Sequence, residues 1–127
     1  MVIKILIVDD EDDVLYSLKH GLEDISHEYI ITIASDGKQC LEFLSKDIPD
    51  LILLDLMMPN MNGWEVLDVI QGNLKWRNIP VFIISAASDP EFKQTAEDLG
   101  IPFIEKPLSV SAVKTRIDQF FQYEKEI

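Results

Sequence analysis

Apolar residues fall along the chain in two alternating patterns. Apolar runs of strand length occupy residues 2–8 (broken only by Lys4), 51–54, 80–84 and 101–104, and residues 29–34 form a β-branched stretch of the same length. Runs of this kind predict strands covered on both faces. After each run the apolar positions switch to helical spacing. The sets are Leu15, Leu18, Leu22 and Ile25; Cys40, Leu41 and Leu44; Val66, Leu67 and Ile70; Phe92, Ala96 and Leu99; and Val110, Val113, Ile117, Phe120 and Phe121. Gly72 and Gly100 follow the third and fourth sets as helix stops. Five strand–helix units in succession predict an α/β fold: a doubly wound, five-stranded parallel sheet with right-handed crossovers.

In such a sheet every strand points the same way, so the carboxyl ends share one rim, where ligands of open α/β sheets bind. The residues at those ends carry the chemistry. The first run ends in five consecutive acids, Asp9 to Asp13. Acids oppose the positive end of a helix dipole, which accounts for one or two of them. Five adjacent carboxylates repel one another, and a divalent cation at Asp9 and Asp10 would relieve that repulsion. The third run ends in Asp55, before Pro59 and Asn62-Gly63 turn the chain. The fourth ends in Ser85, and Lys106-Pro107 follows the fifth. Singly, Asp55 could terminate a strand, Ser85 cap a turn and Lys106 be a solvated loop cation. Their arrival together on one rim points to a site.

Composition narrows the chemistry. The chain has 127 residues, 47% of them hydrophobic, enough for one domain with a core. Its formal net charge of −12 argues against nucleic acid or an anionic membrane as a direct partner. It suits a divalent cation or a basic surface. The single cysteine, Cys40, allows no internal disulfide and fits a reducing cytoplasm; its apolar neighbours mark it as a core residue. A strand that begins almost at Met1 leaves no room for a signal peptide, and no apolar run has membrane-spanning length. The expected location is cytoplasmic. His20 and His27 lie away from the rim, and a cysteine pair is lacking, so zinc is not supported. There is no glycine-rich phosphate loop. Three carboxylates suit an octahedral Mg²⁺ (or Mn²⁺) completed by phosphate oxygens. A carboxylate can itself be the nucleophile, with a hydroxyl and an ammonium binding the other phosphoryl oxygens.

The segments Val8-Asp9-Asp10, Asp55-Leu56-Met57-Met58-Pro59-Asn60-Met61-Asn62-Gly63, Ser85-Ala86 and Lys106-Pro107 together resemble the receiver domains of two-component response regulators, across essentially the whole chain. The resemblance implies the flavodoxin-like, CheY-like strand order 2-1-3-4-5 and phosphorylation of Asp55. It implies Mg²⁺ held by Asp10, Asp55 and the main-chain carbonyl of Met57, with Asp9 acting largely through water. Ser85 becomes the switch hydroxyl, Lys106 the cation, Phe103 the switch aromatic, and the Lys106-Pro107 peptide bond cis. Phe103 stands where the family often has Tyr, so only its rotation and burial can report the switch.

The implied partners are a sensor histidine kinase or phosphotransfer domain and a downstream protein or output domain, with the chain a monomer or a phosphorylation-dependent dimer. The whole chain reads as one receiver without an output domain. The kinase is expected on the outer face of the first helix, at Val14, Ser17 and Gly21, and on the loop after the fifth strand. Output is expected through the fourth helix, fifth strand and last helix. The resemblance also implies that Met57 and Ala87 flank the water that would hydrolyse an aspartyl phosphate. Two other readings compete. A haloacid-dehalogenase-type phosphatase needs a second acid where Met57 stands. A phosphorylation-independent interaction module usually lacks rim residues that this chain retains.

Overall fold

The computed structural model describes residues 2–85 and 90–126, with side chains through residue 122. Strands β1 (Ile3–Val8), β2 (Tyr29–Ala34), β3 (Leu51–Asp55), β4 (Val81–Ser85) and β5 (Phe103–Glu105) alternate with helices α1 (Asp12–Ile25), α2 (Gly37–Leu44), α3 (Gly63–Gln71), α4 (Pro90–Asp98) and α5 (Val110–Glu126). The strands form one parallel sheet in the order β2-β1-β3-β4-β5.

Side chains alternate across a strand, so each strand feeds two cores. Leu6, Val8, Ile52, Leu54 and Ile83 pack with Cys40 and Leu44 of α2 and Val66, Leu67 and Ile70 of α3. Ile3, Ile5, Ile7, Leu51, Leu53 and Phe82 pack on the other face with Leu15, Leu18 and Leu22 of α1 and Val113 and Ile117 of α5. Phe120 of α5 meets the Phe82 ring edge-on at 5.4 Å and ties the last helix to the sheet centre. This double coverage is why β3, and β1 apart from Lys4, read as apolar runs.

The structure moves several expected boundaries and faces. Ile25 is 47% exposed and Leu99 55% exposed, so the core stripes of α1 and the α4 unit stop one turn early. The fifth strand begins at Phe103 rather than residue 101. Pro102 has no N–H to give to a ladder, and contributes only its carbonyl, which accepts from Ile83 N at 2.8 Å. Gly21 is not on the outer face of α1. A Cβ there would lie 2.6 Å from a Val110 methyl, so its missing side chain is what lets α1 and α5 pack. Val14 is half-buried against the α1–α5 core rather than fully exposed.

Candidate functional site

Strand register brings the rim residues level. Val8 pairs with Leu54, Asp55 with Ile84 and Ser85 with Glu105. The residue after β1 and the last residues of β3 and β4 therefore open onto one rim. There the carboxylates of Asp9, Asp10 and Asp55 each offer an oxygen within 4.8 Å of the others. Asp9 and Asp55 are buried, whereas Asp10 is exposed. Asp9 also accepts from Glu11 N at 2.9 Å, which sets the chain's turn into α1. The acids Asp12 and Asp13 occupy the first turn of that helix, where its dipole favours them.

The loop after β3 is built to hold Asp55 still. The Met57 N–H donates to Asp55 Oδ1 at 3.3 Å, and Leu56 N donates to Ile84 O at 3.3 Å. Asn60 takes φ 67°, a left-handed conformation that asparagine tolerates better than most residues. Asn62 caps α3 by accepting from Glu65 N, while the Glu65 side chain accepts from Asn62 N. Gly63 then passes so close to β3 that a Cβ would stand 2.3 Å from the Asp55 carbonyl oxygen. Met57 projects to solvent, 56% exposed.

Lys106 reaches into the acid cluster from the far side. Its Nζ lies 2.7 Å from Asp9 Oδ2, 3.1 Å from Glu11 Oε1 and 3.5 Å from Asp55 Oδ2. Lys106 N donates to Ser85 O at 2.8 Å, which joins the ends of β4 and β5. The Lys106-Pro107 peptide bond is cis. Ser85 is fully buried at the end of β4. Phe103 is half-buried at the start of β5, against the core under α2 and α3. Ala86 and Ala87 lie outside the described residues. Glu11 is the partner that sequence reasoning did not single out. Its place in the acidic run was visible, but its contact with a lysine 95 positions later was not.

The site carries more negative charge than Lys106 offsets. Burial raises the Asp55 carboxyl first, and the Asp9 charge raises it further. Lys106 and the Met57 N–H pull the other way without cancelling them, Asp10 adds to the rise, and the group reaches about 7. For Lys106, burial alone would lower the ammonium pKa. Its hydrogen bonds to Asp9 and Glu11 and the charge of Asp55 outweigh that and raise it. Hard carboxylate oxygens in excess of their cation are the donor set that a divalent ion of the Mg²⁺ class requires. Beside the cluster runs a groove of 570 Å³ between α1 and the β5–α5 loop, lined by Val14, Ser17, Leu18, Lys106, Pro107 and Leu108 among others.

Among the described residues no helix is long and apolar enough to cross a membrane. Residues 5–118 match the family described as the response regulator receiver domain. Response regulator ArlR of Staphylococcus saprophyticus is 40% identical over 116 residues, covering 90% of this chain and 50% of that protein. The cyclic di-GMP phosphodiesterase response regulator RpfG of Xanthomonas campestris is 30% identical over 125 residues, covering 98% of this chain and 33% of that protein. The chain thus spans half or less of these curated relatives. The solved signal receiver domain of a signal transduction histidine kinase from Syntrophus aciditrophicus is 30% identical with a TM-score of 0.84, covering 99% of this chain and 95% of that one. Vibrio cholerae chemotaxis protein CheY4 is 25% identical with a TM-score of 0.83, covering 94% and 98%. Strand order, the rim acids and a family match over nearly the whole chain agree, and the chain belongs to the response regulator receiver domains of two-component signalling, a family of signalling domains rather than enzymes in general.

Proposed function

We propose that Asp55 accepts a phosphoryl group from the phosphohistidine of a sensor histidine kinase or phosphotransfer domain, and that the modified domain signals through α4, β5 and α5. The observation that supports this reading is the meeting of Asp9, Asp10 and Asp55 with Lys106 at one rim of the sheet. An Asp55 carboxylate oxygen attacks phosphorus while the histidine nitrogen–phosphorus bond breaks, and that electron pair returns to the imidazole. Lys106 and the Ser85 hydroxyl bind the equatorial oxygens, where charge builds up. Asp10, Asp55 and the Met57 carbonyl would hold Mg²⁺ (or Mn²⁺), with Asp9 acting largely through water; the bound ion supplies neutralising charge for the incoming phosphoryl oxygens.

In this reading the kinase seats on the groove between α1 and the β5–α5 loop, which carries Lys106 at one end. Phe103 reports the switch by rotation and burial. The chain supplies the receiver module, as a monomer or a phosphorylation-dependent dimer, and its output lies on a downstream protein or output domain. The dehalogenase-type alternative lacks its second acid, because Met57 stands at that place. Incubation with acetyl phosphate and Mg²⁺, followed by intact mass, tests the proposal. The wild type is expected to gain one phosphoryl group and Asp55→Asn none. Labelling of Asp55→Asn at wild-type stoichiometry would move the acceptor elsewhere. Turnover of acetyl phosphate without accumulated label would favour a phosphatase.

A further inference from the structure

The opposite end of the sheet carries a second surface of different character. The connection before β3 and the connection before β4 enclose a groove of 740 Å³, lined by Leu44, Lys46, Ile48, Leu74, Lys75 and Trp76 among others. Its walls expose apolar surface that no part of the described chain covers. Leu74 is 77% exposed and Ile48 44% exposed, while the half-buried Trp76 packs onto the core. On the far side of the same connection a 290 Å³ cavity is lined by Gln71, Arg77, Ile79 and Pro80 among others.

The charge at this face runs against that of the chain. Lys46, Lys75 and Arg77 have no ion-pair partner among the described residues. The carboxylate that lines the groove, Asp47, is already held by Lys4 Nζ, 2.9 Å from each of its oxygens. A domain of net charge −12 thus presents two unpaired lysines on an uncovered apolar groove, with Arg77 in the adjoining cavity. Nucleic acid fits poorly: two lysines set among leucine, isoleucine and tryptophan side chains, with Arg77 beyond them, form no continuous basic track for a phosphate backbone.

We propose that this basal face docks an acidic amphipathic helix of a partner protein, with apolar side chains entering between Ile48 and Leu74–Trp76 and carboxylates meeting Lys46 and Lys75. A helix laid in a groove presents residues at i, i+3, i+4 and i+7, which matches an apolar slot with a charged rim. The face lies at the amino ends of β3 and β4, and a five-residue strand is about 17 Å long. Docking here leaves the Asp55 rim open, so the surface serves a partner other than the phosphoryl donor. The inference does not depend on phosphorylation.

The test is an NMR titration of isotope-labelled full chain with a synthetic helix of about 16 residues, leucines on one face and glutamates on the other. Saturable shifts confined to residues 44–48 and 72–77 are expected, with affinity falling as salt rises. Lys46→Glu combined with Lys75→Glu is expected to weaken binding by about tenfold or more, as is Leu74→Asp. The same helix with lysines in place of glutamates is expected not to bind. All these positions are at the surface, and unchanged signals elsewhere check that the variants fold. Shifts that fail to saturate by about 1 mM, that map elsewhere, or that are equal in the charge-reversed variant would overturn the proposal. Sedimentation showing that copies of the chain associate, in a manner abolished by Leu74→Asp, would assign the face to a second copy instead.

Discussion

Gly63→Ala should reveal how tightly the fold grips the strand that ends in Asp55. The added Cβ would stand 2.3 Å from the Asp55 carbonyl oxygen, 2.7 Å from Leu56 Cα and 3.0 Å from Asp55 C. Ordinary carbon–oxygen approach is about 3.3 Å or more, so the overlap is about 1 Å. All three atoms are main chain, and none can rotate away. Either α3 lifts from the sheet, straining the hydrogen bond from Gly63 N to Leu56 O, or the end of β3 shifts with Asp55 on it. Overpacking of this kind costs about 1–3 kcal/mol, and the unyielding neighbours place this site at the upper end. Alanine recovers at most about 1 kcal/mol of helix propensity, less in the first turn. The net expectation is a loss of about 2 kcal/mol, equivalent to about 1 M in the urea midpoint at an m-value of about 2 kcal/mol/M. Labelling of Asp55 by acetyl phosphate should slow by about tenfold or more, because phosphoryl transfer depends on ångström-scale positioning. Gly72→Ala is the control. Its Cβ would meet Asp68 O at 3.3 Å, and its φ of −81° suits any residue. That variant should lie within about 0.5 kcal/mol of wild type. A Gly63→Ala protein with an unchanged midpoint and unchanged labelling would refute the close-packing argument.

Other expectations follow from the rim. Asp10→Ala should weaken Mg²⁺ binding more than Asp9→Ala in a metal titration, since only Asp10 is proposed as a direct ligand; equal losses would contradict the division. Without a divalent cation, the Asp55 carboxyl at about 7 means that the folded protein holds a proton which the unfolded chain has released above about pH 4. Stability from this group is therefore lost as pH rises from about 4 to about 7, by up to a few kcal/mol, and Mg²⁺ should raise the Tm more at pH 8 than at pH 5. Calorimetry in which Asp55→Asn shows the same pH-dependent fall would contradict this. The exposed, apolar Met57 offers no hydrogen bond to an attacking water, so Met57→Asn should shorten the life of the phosphoryl label; unchanged or slower decay would count against that role.

The fold was legible where local pattern and tertiary environment agree. β1 and β3 are covered on both faces, so their composition alone marks them. α4 and β5 are marginal in both sequence and structure. Among the described residues Ala96 is the one buried residue of α4, and β5 has three residues, none of them fully buried. The shared rim was legible because a parallel sheet converts strand-end chemistry into spatial proximity. Asp9, Asp10, Asp55 and Lys106 needed only topology to meet, as did Ser85 to end its strand on the same rim. Glu11 against Lys106, Gly21 against Val110 and Gly63 against Asp55 were not legible as contacts. They depend on distances between elements that no local period encodes, and in the two glycines the functional feature is a missing atom.

The distribution of charge ties the two ends of the sheet together. A net charge of −12 spread evenly would repel a histidine kinase phosphosite and an acidic helix alike. At the carboxyl rim three carboxylates meet, and burial with the charges of Asp9 and Asp10 raises the Asp55 carboxyl to about 7 against the pull of Lys106. At the base, Lys46, Lys75 and Arg77 line two adjoining cavities near Leu74 and Trp76. The electrostatic cost of crowding acids at the rim is borne by a core with apolar cover on both sheet faces. On the two proposals made above, one end would recruit a divalent cation and an incoming phosphoryl group while the other would attract an acidic partner. Surface charges more than about 10 Å apart are largely screened at ordinary ionic strength. The two ends should therefore respond separately: Lys75→Glu should leave Mg²⁺ affinity at the rim within about twofold of wild type, and Asp10→Ala should leave docking at the base unchanged.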